Sequence, residues 1–273
     1  GTATEFTLAT IDTVAITPSA TVAHDGPFSA KKWSDIGSIK ISSAAHTAAE
    51  SQSVTNLGSG QAIELNTATG RFESDVMTLT NATGVSGLAV TLKGTAGTNG
   101  AAGVGITTNA GTVNITDSVA DATGFAENST VTLAGTGATA AVTGVTLSGG
   151  GKSGALTTAA FTLKGTTNVN LASIDATGLA STLDISGVTT ATGSAITLGS
   201  GNDKITIAPA DLARDAIVLN AGDGTDTVVT VNVDAAGALD LRPGLTSVEA
   251  LDITTVAGGN GANTITYNMA DST

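Results

Sequence analysis

The chain has 273 residues, no Cys, 35 Gly, 3% aromatic residues and a formal net charge of -13 at pH 7. Since only 10 basic residues stand against 23 acidic ones, no Lys or Arg cluster is expected to neutralise phosphates, which excludes nucleic acid as an expected partner. The absence of Cys excludes a disulfide framework and cysteine-based zinc sites. No apolar run approaches the roughly 20 residues of a membrane span, and no signal peptide is visible. Because the chain starts at Gly1 rather than Met, we expect a segment of a longer protein.

Residues 1–55 differ in composition from the rest and are expected to form an atypical N-terminal segment or cap. They contain both histidines, His24 and His46, and the only Trp, Trp33. Trp33 and Phe28 are candidate interface residues, which cap the first coil or contact a neighbouring domain, an assembly partner or a sugar. A metal or acid–base role for the histidines is conceivable, but lone surface histidines are far commoner.

Residues 56–195 are rich in Thr, Gly and Val and predict short parallel strands separated by turns. The phrase Asn/Asp-Ala-Thr-Gly precedes an alternating strand at residues 81–84, 121–124 and 175–178. Glycine tolerates the positive φ of tight corners, Asn and Asp bond to their own turn backbone, and β-branched residues suit strands. The interval from Gly84 to Gly124 is shorter than the interval from Gly124 to Gly178, so the predicted solenoid is irregular.

Residues 196–273 carry acidic loops and predict a calcium-binding β-roll region. The one plausible short helix of the whole chain is residues 209–215, with Pro209 at a first-turn position. Strong self-repulsion in an acidic chain couples its compactness to cation binding.

Two loops within this region share one pattern: residues 198–206, LGSGNDKIT, and residues 221–229, AGDGTDTVV. Each has Gly, any residue, Gly, any residue, Asp, any residue and a β-branched apolar residue. The glycines permit a tight turn with accessible carbonyls, the Asp adds a carboxylate, and the apolar residue begins a strand. This order resembles the nonapeptide pattern of calcium-bound parallel β-rolls. The interval from Gly199 to Gly222 approximates one coil, so the loops are expected to stack and share an ion.

In a β-roll each loop supplies half of a site with about six oxygen ligands. Asp203 and Asp226 are the expected paired carboxylates, and the other candidate ligands are Gly199, Gly201, Asn202, Gly222, Asp223 and Gly224. The alternative is that these loops are ordinary β-turns, in which Gly and Asp are common.

Two weaker copies of the pattern lie elsewhere in the chain. Residues 258–266 contain the candidate ligands Gly259, Gly261 and Asn263, where neutral Asn stands at the Asp position and lowers the expected affinity. This copy fits a weak site and an ordinary turn equally well. Residues 57–63 have Ala62 at the Asp position and predict a turn only.

Catalytic motifs are not evident. No Gly-any-Ser-any-Gly elbow accompanies either histidine, and basic residues and Tyr are too sparse for a typical polysaccharide-cleaving groove. Pairs of Thr spaced by one residue suggest an ice-binding-like ladder, but their irregular spacing argues against a regular array. We therefore expect a protein that is not an enzyme.

The two loops and the Ala/Thr/Gly/Val-rich composition resemble bacterial surface-layer proteins of the Caulobacter type with RTX-like calcium repeats. Residues 245–253 (LTSVEALDI) add to this resemblance, because a Val-Glu step followed by alternating apolar residues resembles the strands that follow calcium loops in this family. The specific part of the resemblance covers about residues 195–266. It implies type I export, calcium-triggered folding outside the cell, and assembly into a lattice bound to cell-surface polysaccharide. Few full repeats, incomplete first glycines and the unusual segment 1–55 depart from the family pattern.

The sequence thus predicts an all-β fold, an irregular parallel β-solenoid or β-roll with calcium-binding turns. The leading hypothesis is a calcium-dependent structural module of a secreted cell-surface protein that self-associates or contacts other domains of a longer chain. The alternatives are a calcium-stabilised adhesin module that binds surface glycan and, less favoured, a β-solenoid carbohydrate-active enzyme.

Overall fold

The computed structural model of the protein describes most of the chain in separate ranges. These are residues 12–16, 28–32, 36–43, 51–67, 75–95, 101–120, 128–137, 142–149, 160–200, 202–208, 217–231, 239–240, 244–254 and 265–266.

The fold is a parallel β-solenoid, in which successive strands alternate between two ten-stranded sheets. Sheet A contains β1 (Thr13–Ile16), β3 (Ser38–Ser43), β5 (Ala62–Thr67), β7 (Gly87–Thr95), β9 (Thr112–Ala120), β11 (Val142–Gly149), β13 (Val169–Leu179), β15 (Thr190–Thr197), β17 (Ile217–Asn220) and β20 (Leu245–Thr246). Sheet B contains β2 (Phe28–Ser29), β4 (Ser51–Leu57), β6 (Asp75–Asn81), β8 (Ala101–Thr108), β10 (Asn128–Gly135), β12 (Ala160–Gly165), β14 (Thr182–Gly187), β16 (Lys204–Thr206), β18 (Thr227–Val231) and β21 (Ala250–Thr254). The predicted all-β solenoid is confirmed.

Two small elements complete the described structure. Strands β19 (Leu239–Asp240) and β22 (Ile265–Thr266) form a separate parallel pair. A 3₁₀ turn at Ala30–Lys32 is the one helical element among the described residues. The helix predicted for residues 209–215 lies outside them.

The register shows that coil length varies, as the sequence spacing predicted. In sheet A, the chain from Ile115 to its partner Leu147 is longer than the chain from Ile174 to its partner Ile196. In sheet B, the last two coils are equal in length, since Ile205 pairs with Val228 and Val228 pairs with Leu251.

A single hydrophobic core fills the space between the two sheets. Alternate residues of each strand point inward, as in β17, where Ile217 and Leu219 are buried and their neighbours are exposed. The core is built from stacked Val, Ile and Leu, and Phe161 is the largest fully buried side chain. Stacking like side chains in register buries apolar surface without large aromatic residues, which accounts for the low aromatic content.

Amide side chains close several corners at which the chain passes from sheet B to sheet A. Asn81 donates from Nδ2 to the carbonyls of Val85 (3.2 Å) and Gly87 (2.8 Å), and its own backbone N–H donates to Asn109 Oδ1 (2.7 Å). Gln61 likewise accepts from the Gly58 N–H (2.8 Å). Residues 57–63 therefore form a turn closed by the Gln61 side chain, as predicted.

Two segments differ from the sequence interpretation. The phrase at residues 175–178, predicted as a corner, lies inside β13, where Asp175 Oδ1 accepts from the Thr177 N–H and a register shift absorbs the irregularity. Residues 245–253 are not one strand: Ser247, with φ of 55°, turns the chain from β20 in sheet A to β21 in sheet B.

The three sequence zones share these two sheets. Residue 55 lies within β4 and residue 195 within β15, so both sheets continue through the expected boundaries. The division into 1–55, 56–195 and 196–273 stays a prediction based on composition.

Candidate metal centre

The two acidic loops lie on consecutive coils, at corners where the chain passes from sheet A to sheet B. The first connects β15 to β16, and the second connects β17 to β18. Ser200 and Asp223 form a parallel bridge between the loops, and the following strands pair Lys204 with Thr227. The loops therefore stack, as their spacing in the sequence predicted.

Glycine allows these two loops to approach each other closely. Gly222 has a φ of +91°, a conformation that residues with a side chain rarely adopt. A Cβ added to Gly222 would overlap the carbonyl oxygen of Gly199 in the preceding coil, and a Cβ on Gly199 would lie 2.8 Å from the Thr177 carbonyl oxygen. Both positions thus require glycine for packing between coils, and Gly222 requires it for its backbone conformation as well.

Three acidic side chains at equivalent corner positions form what we call the carboxylate ladder: Asp203, Asp226 and Glu249. Asp226 Oδ1 accepts a hydrogen bond from the Asp203 N–H (2.7 Å), and Glu249 Oε2 accepts one from the Asp226 N–H (2.6 Å). Each step spans 23 residues. A carboxylate of one coil therefore satisfies a corner amide of the coil that precedes it.

The ladder leaves two buried carboxylate oxygens without a hydrogen-bond partner among the described residues: Asp203 Oδ2 and Asp226 Oδ2. Asp226 is only 1% exposed. Burial raises the pKa of Asp203 above its usual range, and the neighbouring Asp226 charge raises it further, whereas a backbone hydrogen bond from Gly199 opposes the shift. Because the two carboxylates carry like charges and their free oxygens are buried, ionisation of both is unfavourable unless a cation balances them.

The remaining candidate ligands are exposed or lie outside the described residues. Asn202 is exposed, and its Oδ1 accepts from the Thr225 N–H of the next coil (2.9 Å), which is a loop-stacking contact. Asp223 and Gly224 are exposed. Gly201 of the first loop, and Gly259, Gly261 and Asn263 of the third copy, lie outside the described residues.

Glu249 was missed by sequence reasoning because no Gly-any-Gly pattern precedes it. Its signal was spacing, since it follows Asp226 by the same 23 residues that separate Asp226 from Asp203. A search for acidic residues at a constant interval, independent of glycine, finds the third member of the ladder.

The donor set fits a hard, oxygen-seeking divalent cation. The free oxygens are carboxylates, the type of ligand that calcium takes together with backbone carbonyls and water. Within the described residues, no group of three or more His, Cys, Asp or Glu side chains is arranged to hold a metal ion by itself. A cation here would therefore have to complete its shell mainly with carbonyl oxygens and water.

The N-terminal candidates are separate from this centre. Phe28 is partly buried and packs against the hydrophobic core, which is compatible with the expected capping of the first coil. Trp33, His24 and His46 lie outside the described residues, so the interface assignment of Phe28 and Trp33 stays a prediction.

The described part of the chain contains no helix long and apolar enough to cross a membrane. No protein-family model matches the chain. Comparisons with curated proteins and with solved structures likewise return no match.

Proposed function

We propose that this chain is a calcium-stabilised structural module of a secreted bacterial cell-surface protein, and that it is not an enzyme. The observation that carries the proposal is the pair of buried oxygens Asp203 Oδ2 and Asp226 Oδ2 on stacked corners, which have no hydrogen-bond partner among the described residues. Asp203 and Asp226 would hold a calcium ion, which would neutralise their repulsion and link consecutive coils. The other carboxylate oxygen of Asp226 is already bonded to a backbone amide, which is a structural use rather than a catalytic one.

Extracellular calcium suits such a site, because a loop of this kind is expected to bind with a dissociation constant of about 0.1 to 1 mM. At a tenfold excess of calcium, one site adds about 1.4 kcal/mol to the free energy of unfolding. For a chain with a net charge of -13, that contribution opposes self-repulsion. Export, a cell-surface location, lattice self-association and contact with surface polysaccharide follow from the surface-layer resemblance and belong to the same proposal.

The proposal is tested by circular dichroism and thermal melting during a calcium titration, with magnesium as the control ion. We expect a calcium-selective rise in melting temperature. The variants D203N and D226N should lose that rise, while Asp12→Ala, at an exposed site remote from the loops, should keep it. Without calcium, D203N should be at least as stable as the wild type, because it removes a charge whose ionisation burial disfavours.

A fold with equal stability with and without calcium, or equal effects of all three substitutions, would reduce the loops to ordinary turns. If calcium does stabilise the protein, electron microscopy of samples with and without the ion tests the lattice part of the proposal. Calcium-dependent ordered arrays are the expected result, and dispersed particles under both conditions would contradict it.

A further inference from the structure

We propose that Glu249 is a positioning residue for the Asp226 carboxylate, acting through its hydrogen bond to the Asp226 backbone. This inference rests on the proposed calcium function and assigns the third member of the carboxylate ladder a role within that site. Glu249 itself is exposed, and its Oε2 is occupied by the Asp226 N–H at 2.6 Å. It therefore acts on the backbone of a ligand rather than as the ligand.

The corner that carries Glu249 holds both backbone polar groups of Asp226. The Asp226 carbonyl oxygen accepts from the N–H groups of Glu249 (3.2 Å) and Ala250 (2.9 Å), while the Asp226 N–H donates to the Glu249 side chain. The peptide groups on either side of the Asp226 Cα are consequently both tied to the following coil.

This constraint on the backbone also limits the position of the free oxygen of Asp226. The Asp226 side chain is almost completely buried, and its Oδ1 is bonded to the Asp203 N–H. With the backbone held by one coil and Oδ1 held by the other, the position of Oδ2 is determined from both sides. A carboxylate oxygen positioned before the ion arrives binds with less loss of conformational freedom, and outer partners of this kind typically change metal affinity by about 10- to 100-fold.

Two substitutions at Glu249 separate the hydrogen bond from the charge. Glu249→Gln removes the negative charge but keeps a side-chain oxygen that accepts from the Asp226 N–H. Glu249→Ala removes both. Asp252→Ala is the matched control, because it removes an exposed carboxylate three residues further along the same coil.

Calcium affinity of the intact chain is measured by isothermal titration, and the Asp226 amide proton is followed by NMR. Glu249→Ala should weaken calcium binding about tenfold or more, whereas Glu249→Gln and Asp252→Ala should remain within about threefold of the wild type. The Asp226 amide proton should move upfield in Glu249→Ala and stay close to its wild-type position in Asp252→Ala. If circular dichroism shows that Glu249→Ala does not fold, Glu249→Asp replaces it, since the shorter side chain keeps the charge but withdraws the oxygen.

Three results would decide against the inference. Wild-type affinity in Glu249→Ala, or in its Asp replacement, would show that the hydrogen bond does not position the ligand. An equal loss in Glu249→Gln and Glu249→Ala would assign the effect to charge. Wild-type protein that binds no calcium would overturn the proposed function and this inference together. The first two results overturn the inference alone, since the wild type still binds calcium in both.

Discussion

Acidic side chains in this protein have different roles because their surroundings differ. Asp226 is buried and bonded to a backbone amide of the neighbouring coil. Glu64 lies on the outer face of sheet A between two lysines, with Oε2 2.8 Å from Lys93 Nζ and Oε1 3.5 Å from Lys40 Nζ. The first carboxylate keeps one oxygen without a hydrogen-bond partner among the described residues, whereas the second is balanced by two lysines.

The Glu64 cluster predicts a pH-dependent contribution to stability. The hydrogen bond from Lys93 lowers the pKa of Glu64 below its ordinary value of 4.5, desolvation opposes the shift, and the charges of Lys93 and Lys40 add to it. A lowered pKa in the folded state stabilises the fold above pH 4.5, and this stabilisation is lost as pH falls through the folded-state pKa.

Glu64→Gln should therefore lower the free energy of unfolding by about 0.5 kcal/mol at neutral pH, a small value because solvent screens these partly exposed side chains. The difference from wild type should shrink at an acidic pH below 4.5, where Glu64 becomes protonated. Denaturant unfolding at both pH values measures it, with Asp12→Asn as a charge-matched control. A difference of the same size at both pH values would contradict the ion-pair explanation.

At the scale of the structural element, the corners determine which glycines are replaceable. Gly60 and Gly222 both have positive φ, 81° and 91°. A Cβ on Gly60 meets no atom within 4 Å, while a Cβ on Gly222 would overlap the Gly199 carbonyl oxygen. The same backbone conformation thus serves a free turn in one place and a close contact between coils in the other.

We expect Gly60→Ala to lower the free energy of unfolding by about 1 kcal/mol, the cost of positive φ alone. Gly222→Ala should cost about 2 kcal/mol more, since the two coils must also move apart. Chemical denaturation in calcium-free buffer measures both effects without a contribution from the ion. Equal losses would show that the added methyl group at Gly222 is accommodated.

Much of each element was predictable from local sequence, because strand alternation and turn chemistry are local. The turn predicted at residues 57–63 is present, and the interval from Gly199 to Gly222 predicted the stacking of the two loops. The corner at Ser247 was not predicted, although Leu245 and Val248, which are both buried, would lie on opposite faces of a single strand. The positive φ of Ser247 has no signature in the sequence, because outside glycine this conformation is enriched in Asn, Asp and His rather than in Ser.

At the scale of the whole molecule, each coil contacts its neighbours in a one-dimensional stack. Within each sheet, strand pairing joins the strands of neighbouring coils, from β1 to β20 in sheet A and from β2 to β21 in sheet B. In such an array, stability is approximately the sum of the coils and the interfaces between them. A ligand at one corner therefore protects nearby coils more than distant ones.

Hydrogen–deuterium exchange tests this localisation. At a tenfold excess over the dissociation constant, calcium should slow amide exchange roughly tenfold in β16, β18 and β21 and in the loops that precede them. Exchange in β3, β5 and β7 should be unchanged, and magnesium should have no comparable effect. Uniform protection along the chain would indicate a single cooperative unit instead.

The carboxylate ladder also has a consequence for the order in which the coils fold. Asp226 and Glu249 each accept from the coil before their own, so the corner amide of Asp203 is satisfied by a side chain 23 residues later, and that of Asp226 by a side chain another 23 residues on. When the chain is delivered from its N-terminal side, the newest coil has an uncapped corner until its successor arrives. Conversely, unfolding of the coil that carries Glu249 would leave the Asp226 amide without its partner, so that fraying of this part of the stack would proceed from its C-terminal side.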